Sequence, residues 1–106
     1  MNFETSSLFD KQSKQLSKKF NLLKNDLEEF TNHFENYHTT ATNIKINLFK
    51  VRVSNSNKNK GKSAGYRIYY YLKVDDAVYL LTIYDKSQIE SINENMLIDL
   101  IKEFDK

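Results

Sequence analysis

The sequence predicts an α+β domain in which an N-terminal helical hairpin packs on an antiparallel β-sheet, in the order β-α-α-β-β-β-α. Three observations carry this prediction. Apolar residues recur at helical spacing before residue 37, alternate with period two between residues 44 and 84, and return to helical spacing after residue 93. The 106 residues are the length of one domain, so we expect a single unit over 1–106.

The helical segments are expected over about 7–19, 22–36 and 93–104, and a short edge strand is expected over 1–5. The first two helices are adjacent in the chain with a short connection, which is typical of a helical hairpin. Their apolar positions are Phe9, Leu16, Phe20, Leu23, Leu27, Phe30 and Phe34. The expected N-caps are Ser7, in a capping box with Asp10, and Asn93 or Ser91.

The first strand of the meander is expected over Ile44–Val53, after a polar loop at 37–43. Its alternation runs through Leu48 and then restarts at Phe49, one residue out of phase. An extra residue in one strand of a pair produces this pattern, so the phase change indicates a β-bulge.

A β-hairpin is expected next, after a polar loop at 54–64. Its strands are Tyr66–Val74 and Ala77–Tyr84, joined by a tight turn at 75–76. One face of the sheet would lie under the helical hairpin. The other would be partly open and would present the polar half of the alternation.

The composition excludes several classes of protein. There is no cysteine, which removes disulfides, thiolate nucleophiles and cysteine metal sites, and only two glycines, which argues against a Gly-rich nucleotide loop. No apolar run approaches the roughly 20 residues of a membrane span, and the N-terminal residues do not resemble a secretory signal. We therefore expect a cytoplasmic chain without membrane association or cofactor. The two histidines, His33 and His38, do not suggest a metal site.

The net charge of +2 conceals a strongly polarised distribution. Residues 1–43 sum to −1 and residues 74–106 to −5, whereas residues 44–73 carry +8 without one carboxylate. Such a block is a candidate for phosphate or nucleic-acid contact, although a solvated basic face would look the same. Its alternating apolar residues indicate a folded surface and not a basic tail.

The basic block supplies groups that could bind RNA and cleave it without a metal. Lys50 and Arg52 share a strand face, and Arg67 follows on the next strand. In such cleavage the 2′-hydroxyl loses a proton, the scissile phosphate gains charge and the 5′-oxygen is protonated. A lysine crowded by like charges can act as base or acid because its pKa falls. An arginine stabilises the charged phosphate. The simpler alternative is that these are ordinary exposed strand residues.

Two motifs resemble the RelE/ParE superfamily of bacterial toxin–antitoxin toxins. Residues 60–67 read KGKSAGYR, like the family's basic loop entering a strand, and residues 80–86 read LLTIYDK, like its following strand. Residues 49–52, FKVR, are similar to the family's basic strand, and the segments 9–20 and 22–34 are similar to its first two helices. The resemblance covers nearly the whole chain in the right order.

The resemblance implies a RelE-like or HigB-like endoribonuclease that cuts mRNA in the ribosomal A site and is neutralised by a cognate antitoxin. Arg67 is similar to the arginine that binds the transition-state phosphate, and Lys50 and Arg52 to the pair acting as base and phosphate stabiliser. Ile92 lies at or near the family's C-terminal tyrosine position, so Tyr84, or no tyrosine, would have to replace it as the acid. Lys86 matches the basic residue that ends the strand. The expected RNA contacts are Lys58, Lys60, Lys62, Tyr69 and Tyr71.

Two alternatives remain open at this point. One is a ParE-like inhibitor of DNA gyrase without nuclease activity, although the presence of Lys50, Arg52, Arg67 and Lys86 together favours the nuclease. The other is a non-catalytic RNA- or protein-binding module on the same fold, since a fold does not fix a function. The expected partners are the ribosome, mRNA and an antitoxin whose acidic or amphipathic segment adds a strand or helix across the basic sheet.

Overall fold

The structure is a computed structural model that describes residues 1–58, 64–73, 76–88 and 92–104. The α+β class is confirmed, but the expected element order is wrong: in the described residues a third helix and an additional strand precede the central strands. The elements are β1 (Asn2–Thr5), α1 (Ser7–Lys19), α2 (Leu23–Asn32), α3 (Phe34–Thr39), β2 (Thr42–Lys45), β3 (Leu48–Val53), β4 (Tyr66–Lys73), β5 (Ala77–Asp85) and α4 (Glu94–Lys102). No helix in these ranges is long and apolar enough to cross a bilayer.

The five strands form one sheet in the order β1-β5-β4-β3-β2. The sheet is mixed, not antiparallel as expected, because β1 pairs in parallel with β5, from Asn2 opposite Ala77 to Thr5 opposite Leu80. The other neighbours are antiparallel. A strand as short as β1 gives no sequence signal for its partner or its direction.

The N-cap of α1 lies one residue before the expected position. The Ser6 hydroxyl accepts from the Phe9 N–H at 3.0 Å and donates to the Leu81 carbonyl at 2.7 Å. Asp10 does not close a capping box with Ser7; it accepts from the Thr5 hydroxyl at 2.6 Å. Ser6 therefore joins the start of α1 to the middle of β5.

The expected helical hairpin is also wrong. The segment 22–36 divides at His33, whose φ of −118° and ψ of 31° separate α2 from α3. Helix α1 packs more extensively on β5 than on α2. The apolar residues of all three helices pack into one core with the sheet, so the three helices form a layer. This layer covers the first core, which contains Phe9, Leu16, Phe20, Leu23, Phe30, Phe34, Tyr37, Val51, Val53, Tyr66, Ile68, Tyr70, Val78, Leu80 and Ile83.

The expected single strand Ile44–Val53 is two strands, and the expected bulge between Leu48 and Phe49 is wrong. A turn at residues 46–47 joins β2 to β3, with Asn47 at φ 62°, a left-handed conformation that asparagine tolerates. In β3, Leu48 packs on one face and Phe49 on the other, as in an ordinary strand. The phase change arises because β3 has apolar residues on both faces, and the turn before it reverses the chain.

The second face of the sheet, expected to be partly open, is covered in part by α4. Asn93 is the N-cap as expected, and its Oδ1 accepts from the Asn95 N–H at 2.7 Å. The alternative cap Ser91 and the turn residue Asp75 lie outside the described residues. Beneath α4 is a second core that contains Leu48, Tyr69, Ala77, Tyr79, Leu81, Tyr84, Leu97 and Leu100.

Candidate nucleic-acid interface

A basic cleft lies on the second face of the sheet, at β3 and β4. The alternation of β3 puts Lys50 and Arg52 on the same face, and the strand register puts Arg52 directly opposite Arg67. These three cations line a cleft of about 380 Å³ together with Thr40 and Thr42. The sequence-predicted trio Lys50, Arg52 and Arg67 is thus brought together, and no carboxylate is among the described lining residues.

The three cations differ in exposure. Arg52 is exposed and Lys50 half-buried, whereas Arg67 is only 6% exposed. The Arg67 Nη1 donates to the carbonyls of Gly65 and Tyr66, both at 3.3 Å. Burial lowers the pKa of the Arg67 guanidinium, and the neighbouring charge of Arg52 lowers it further. An arginine stays protonated at neutral pH even so, so the cleft has a fixed positive charge at its floor.

The tyrosines predicted to contact RNA or supply a proton belong to the second core. Tyr69 is 4% and Tyr84 3% exposed, and their ring centroids are 6.3 Å apart. Burial raises the pKa of Tyr69 to about 12, helped by its interaction with Tyr84. Tyr71 is half-buried and stacks on Tyr79. Stacking of a base needs an exposed ring face, which Tyr69 lacks; its ring instead lies under the Lys50 ammonium, 5.8 Å away.

Lys58, predicted to contact RNA, forms an ion pair with the fully buried carboxylate of Asp85. The Lys58 Nζ lies 2.6 Å from Asp85 Oδ2. Ser87 donates to the same carboxylate through its hydroxyl and its N–H. Burial would raise the pKa of Asp85, but the hydrogen bonds from Lys58 and Ser87 outweigh it, and the pKa lies below its usual value. Lys58 therefore stabilises the fold at the end of β5.

The start of the basic loop is attached to the helical layer by a second carboxylate. Asp26, which is 7% exposed, accepts from the Ser56 N–H at 2.9 Å and from the Ser56 hydroxyl. Asn57 accepts from the Leu22 N–H at 3.0 Å. The predicted RNA contacts Lys60 and Lys62 lie outside the described residues. Residues 54–58 are thus bound both to the helical layer, through Asp26 and Leu22, and to the end of β5, through Asp85.

Lys86 lies near Arg67, because both donate to the Gly65 carbonyl, whereas Ile92 lies at the second core. Lys86 follows β5 and is exposed, and its N–H donates to the Gly65 carbonyl at 3.2 Å. It does not line the basic cleft in the described part of the chain. Ile92 is half-buried and packs against the second core, where a family tyrosine would lie according to the resemblance. Of the five predicted catalytic residues, Lys50, Arg52 and Arg67 line the cleft, and Tyr84 lies directly opposite Arg67 across β4 and β5.

Sequence reasoning missed the two threonines of the cleft. Thr42 lies opposite Lys50 across β2 and β3, and the Thr40 hydroxyl donates to the Tyr37 carbonyl at 3.0 Å. Their hydroxyl oxygens add hydrogen-bonding groups to the wall of the cleft. The available signal was the β-branched character of residues 37–43, which was interpreted as a loop.

The two histidines have structural partners outside the basic cleft. His33 Nδ1 lies 3.0 Å from Glu29 Oε2, and His38 Nδ1 lies 2.6 Å from the Tyr70 hydroxyl. His38 also stacks on Phe34. Within the described ranges, no three acidic or histidine side chains come together as metal ligands would.

The cleft suits a phosphate group, because two guanidinium groups, an ammonium group and two hydroxyls converge on one small space. Arginine in particular offers paired donors that match phosphate oxygens. No protein-family model matches the chain. The resemblance to RelE/ParE toxins therefore rests on the sequence segments described above, at residues 9–20, 22–34, 49–52, 60–67 and 80–86.

Proposed function

We propose that this protein is the toxin of a toxin–antitoxin pair and cleaves mRNA on the ribosome. The observation that carries the proposal is the convergence of Lys50, Arg52 and Arg67 in one cleft. RNA cleavage by a 2′-hydroxyl needs positive charge around the scissile phosphate, and these residue types supply it. The sequence motifs that resemble RelE-like toxins point to the same chemistry.

The proposed reaction assigns a role to each cation of the cleft. Arg67, fixed at its floor, binds the non-bridging oxygens of the phosphate as their charge grows. Arg52, exposed at its rim, contacts the same or the adjacent phosphate. Lys50, acting in its neutral amine form, takes the proton of the 2′-hydroxyl, whose oxygen attacks phosphorus and forms a 2′,3′-cyclic phosphate. The 5′-oxygen leaves and is protonated, by Lys86 or by solvent.

A non-catalytic RNA-binding protein is the second candidate. The observation that favours it is the burial of Tyr84, 3% exposed, because a buried phenol beneath α4 cannot approach a leaving oxygen without movement. A ParE-like gyrase inhibitor is the third candidate, and nothing in the cleft favours it over the other two.

One experiment separates the three candidates. The purified protein is added to translating ribosomes, and the mRNA is mapped by primer extension. The proposal expects cuts at A-site codons, a loss of at least about 10²-fold in cleavage for Lys50→Ala, and full cleavage by Lys14→Ala, which removes an exposed lysine of α1. Uncut but bound mRNA would indicate the binding protein. Gyrase-dependent DNA breaks without cut mRNA would indicate the inhibitor.

The proposed partner of the toxin is an antitoxin with an acidic or amphipathic segment that covers the basic cleft. Its gene would lie beside this one, so reading the neighbouring frame is the first test. Co-expression should then restore growth, and the co-purified complex should not cleave mRNA. We expect both proteins in the cytoplasm, where ribosomes and mRNA are found.

A further inference from the structure

An apolar groove lies beside α4, on the side of the sheet away from β1. It has a volume of about 550 Å³ and lies between the turn after β2 and the C-terminal half of α4. Apolar side chains form most of its wall, and the residues lining it are Lys45, Ile46, Leu48, Tyr71, Ile98 and Ile101. A groove of this character on a protein surface marks an interaction site more often than an ordinary surface.

Ile46 is the most exposed large apolar side chain among the described residues, at 88%. It occupies the turn next to Asn47 and therefore projects at the edge of the groove. Turn positions favour polar residues, and an exposed isoleucine there adds almost no buried apolar area to stabilise the folded chain. Burial of Ile46 against a binding partner would explain why an isoleucine occupies this exposed position.

The charges beside the groove favour a second copy of the same chain as its occupant. Glu94, Ile98 and Lys102 follow one another at intervals of four residues, so they lie along one side of α4 with an acid at one end and a base at the other. A partner surface that is entirely acidic would be repelled by Glu94, and one that is entirely basic would be repelled by Lys102. An antiparallel second α4 would place Glu94 beside Lys102 of the second copy, and the reverse, by two-fold symmetry.

The favourable interaction of charged residues with the helix dipole would by itself account for an acid at the start of α4 and a base at its end. It does not account for Ile98 midway between them at the groove, or for the exposed Ile46 opposite. Lys45 already lies 3.3 Å from Glu94 at the groove edge. In a two-fold pair, Glu94 would lie between Lys45 of its own chain and Lys102 of the second copy.

We propose that this groove is the interface of a homodimer, in which two α4 helices pack antiparallel with Ile98 at the two-fold axis and each Ile46 enters the groove of the other copy. Both Ile98 residues are then close enough for a direct contact, because packed helices are about 8–10 Å apart between their axes. The dimer leaves the basic cleft on a different part of the second face, so it does not depend on the proposed nuclease function.

The absence of cysteine from the chain allows a sharp test by cross-linking. The full-length Ile98→Cys variant is oxidised under mild conditions and run on a non-reducing gel. We expect a covalent dimer that forms at least about 10-fold faster than with Asp99→Cys, since a disulfide needs Cα atoms within about 7 Å. Asp99 is the matched control because it is exposed and one residue further round the helix. Equal rates for the two variants would overturn the proposal.

Sedimentation of the wild-type protein over a range of concentrations provides the second test. We expect the mass to rise from the 12.6 kDa of one chain toward twice that value. Ile46→Asp should weaken this association by at least about 30-fold, the effect of removing an interface hot spot. It should leave thermal stability unchanged, because the side chain is 88% exposed in the single chain. A single-chain mass at all concentrations would overturn the proposal and leave the groove to a different partner.

Discussion

Arg52 on β3 and Arg67 on β4 are directly opposite each other, so two positively charged side chains are neighbours on the same face of the sheet. Like charges in this arrangement oppose folding by about 0.2–1 kcal/mol. The pKa of Arg67 is lowered first by burial and then by Arg52. A pair of this kind is unfavourable for the isolated fold and becomes favourable when an anion lies between the two groups.

Removing the charge of Arg52, the exposed member of the pair, should therefore stabilise the protein. We expect Arg52→Gln to raise the free energy of unfolding by up to about 1 kcal/mol at low salt, measured by urea denaturation. Added phosphate should stabilise the wild type more than the variant, because ligands that bind the folded state raise its stability. Lys14→Gln on α1 is the control and should change stability by less than about 0.5 kcal/mol. A less stable Arg52→Gln would contradict the account of the pair.

Arg67→Ala should abolish most of the proposed cleavage. We expect a loss of at least about 10²-fold in the ribosome assay, the scale for one transition-state charge donor. The variant should also lose about 1–3 kcal/mol of stability, because the buried guanidinium donates to the carbonyls of Gly65 and Tyr66. Arg67→Lys keeps the charge but not the paired donors, and should fold better than Arg67→Ala while cleaving poorly. Unchanged cleavage by either variant would remove Arg67 from the mechanism.

The Lys58–Asp85 ion pair should make stability depend on pH. The pKa of Asp85 is lowered in the folded state, so its contribution is complete above its unfolded pKa of about 3.9 and is lost as the pH falls through the folded value. Asp85→Asn leaves Lys58 without its buried partner and should cost about 3–5 kcal/mol at pH 7. Its stability should fall less than that of the wild type between pH 5 and pH 2, measured by urea denaturation. Parallel curves for the two proteins would contradict this role.

Gly65 should not tolerate a side chain. An added Cβ would lie 2.1 Å from the Val53 carbonyl oxygen and 3.0 Å from the Asn55 N atom, and backbone cannot move aside cheaply. We expect Gly65→Ala to lower the free energy of unfolding by at least about 2 kcal/mol, measured by thermal denaturation. The adjacent Ala64→Ser is the control and should change stability by less than about 1 kcal/mol. Equal melting temperatures for the two variants would show that this region can adjust.

Much of the sheet could be predicted from period-two alternation. It correctly assigned Tyr66, Ile68 and Tyr70 to one face of β4 and Arg67 and Tyr69 to the other. It could not show that α4 covers the second face, because alternation indicates which residues share a face and not what lies upon it. Arg67 was assigned to the polar face and is nevertheless buried, with its guanidinium donating to the carbonyls of Gly65 and Tyr66.

The breaks in regular structure were harder to predict than the structure itself. The helical spacing of Leu23, Phe30 and Phe34 continues across His33, so it gave no sign that α2 ends there. Asn47 was the visible signal for the turn between β2 and β3, because asparagine is enriched at positive φ. The signal was missed because the apolar residues Ile46 and Leu48 flank Asn47 and continue the strand alternation. The cleft threonines escaped notice because the segment 37–43 was interpreted as a loop, whereas Thr40 is the C-cap of α3 and Thr42 begins β2.

The parallel pairing of β1 with β5 has a consequence for the order of folding. The paired residues Asn2 and Ala77 are 75 positions apart, whereas β3 and β4 pair across a single loop. Because the ribosome adds about 5–20 residues per second, roughly 4–15 s pass between the synthesis of β1 and that of its partner strand β5. The hairpins of β2, β3 and β4 can form during that interval. The basic cleft can therefore assemble on the nascent chain before the opposite edge of the sheet is closed, so a ligand of the cleft could bind before folding is complete.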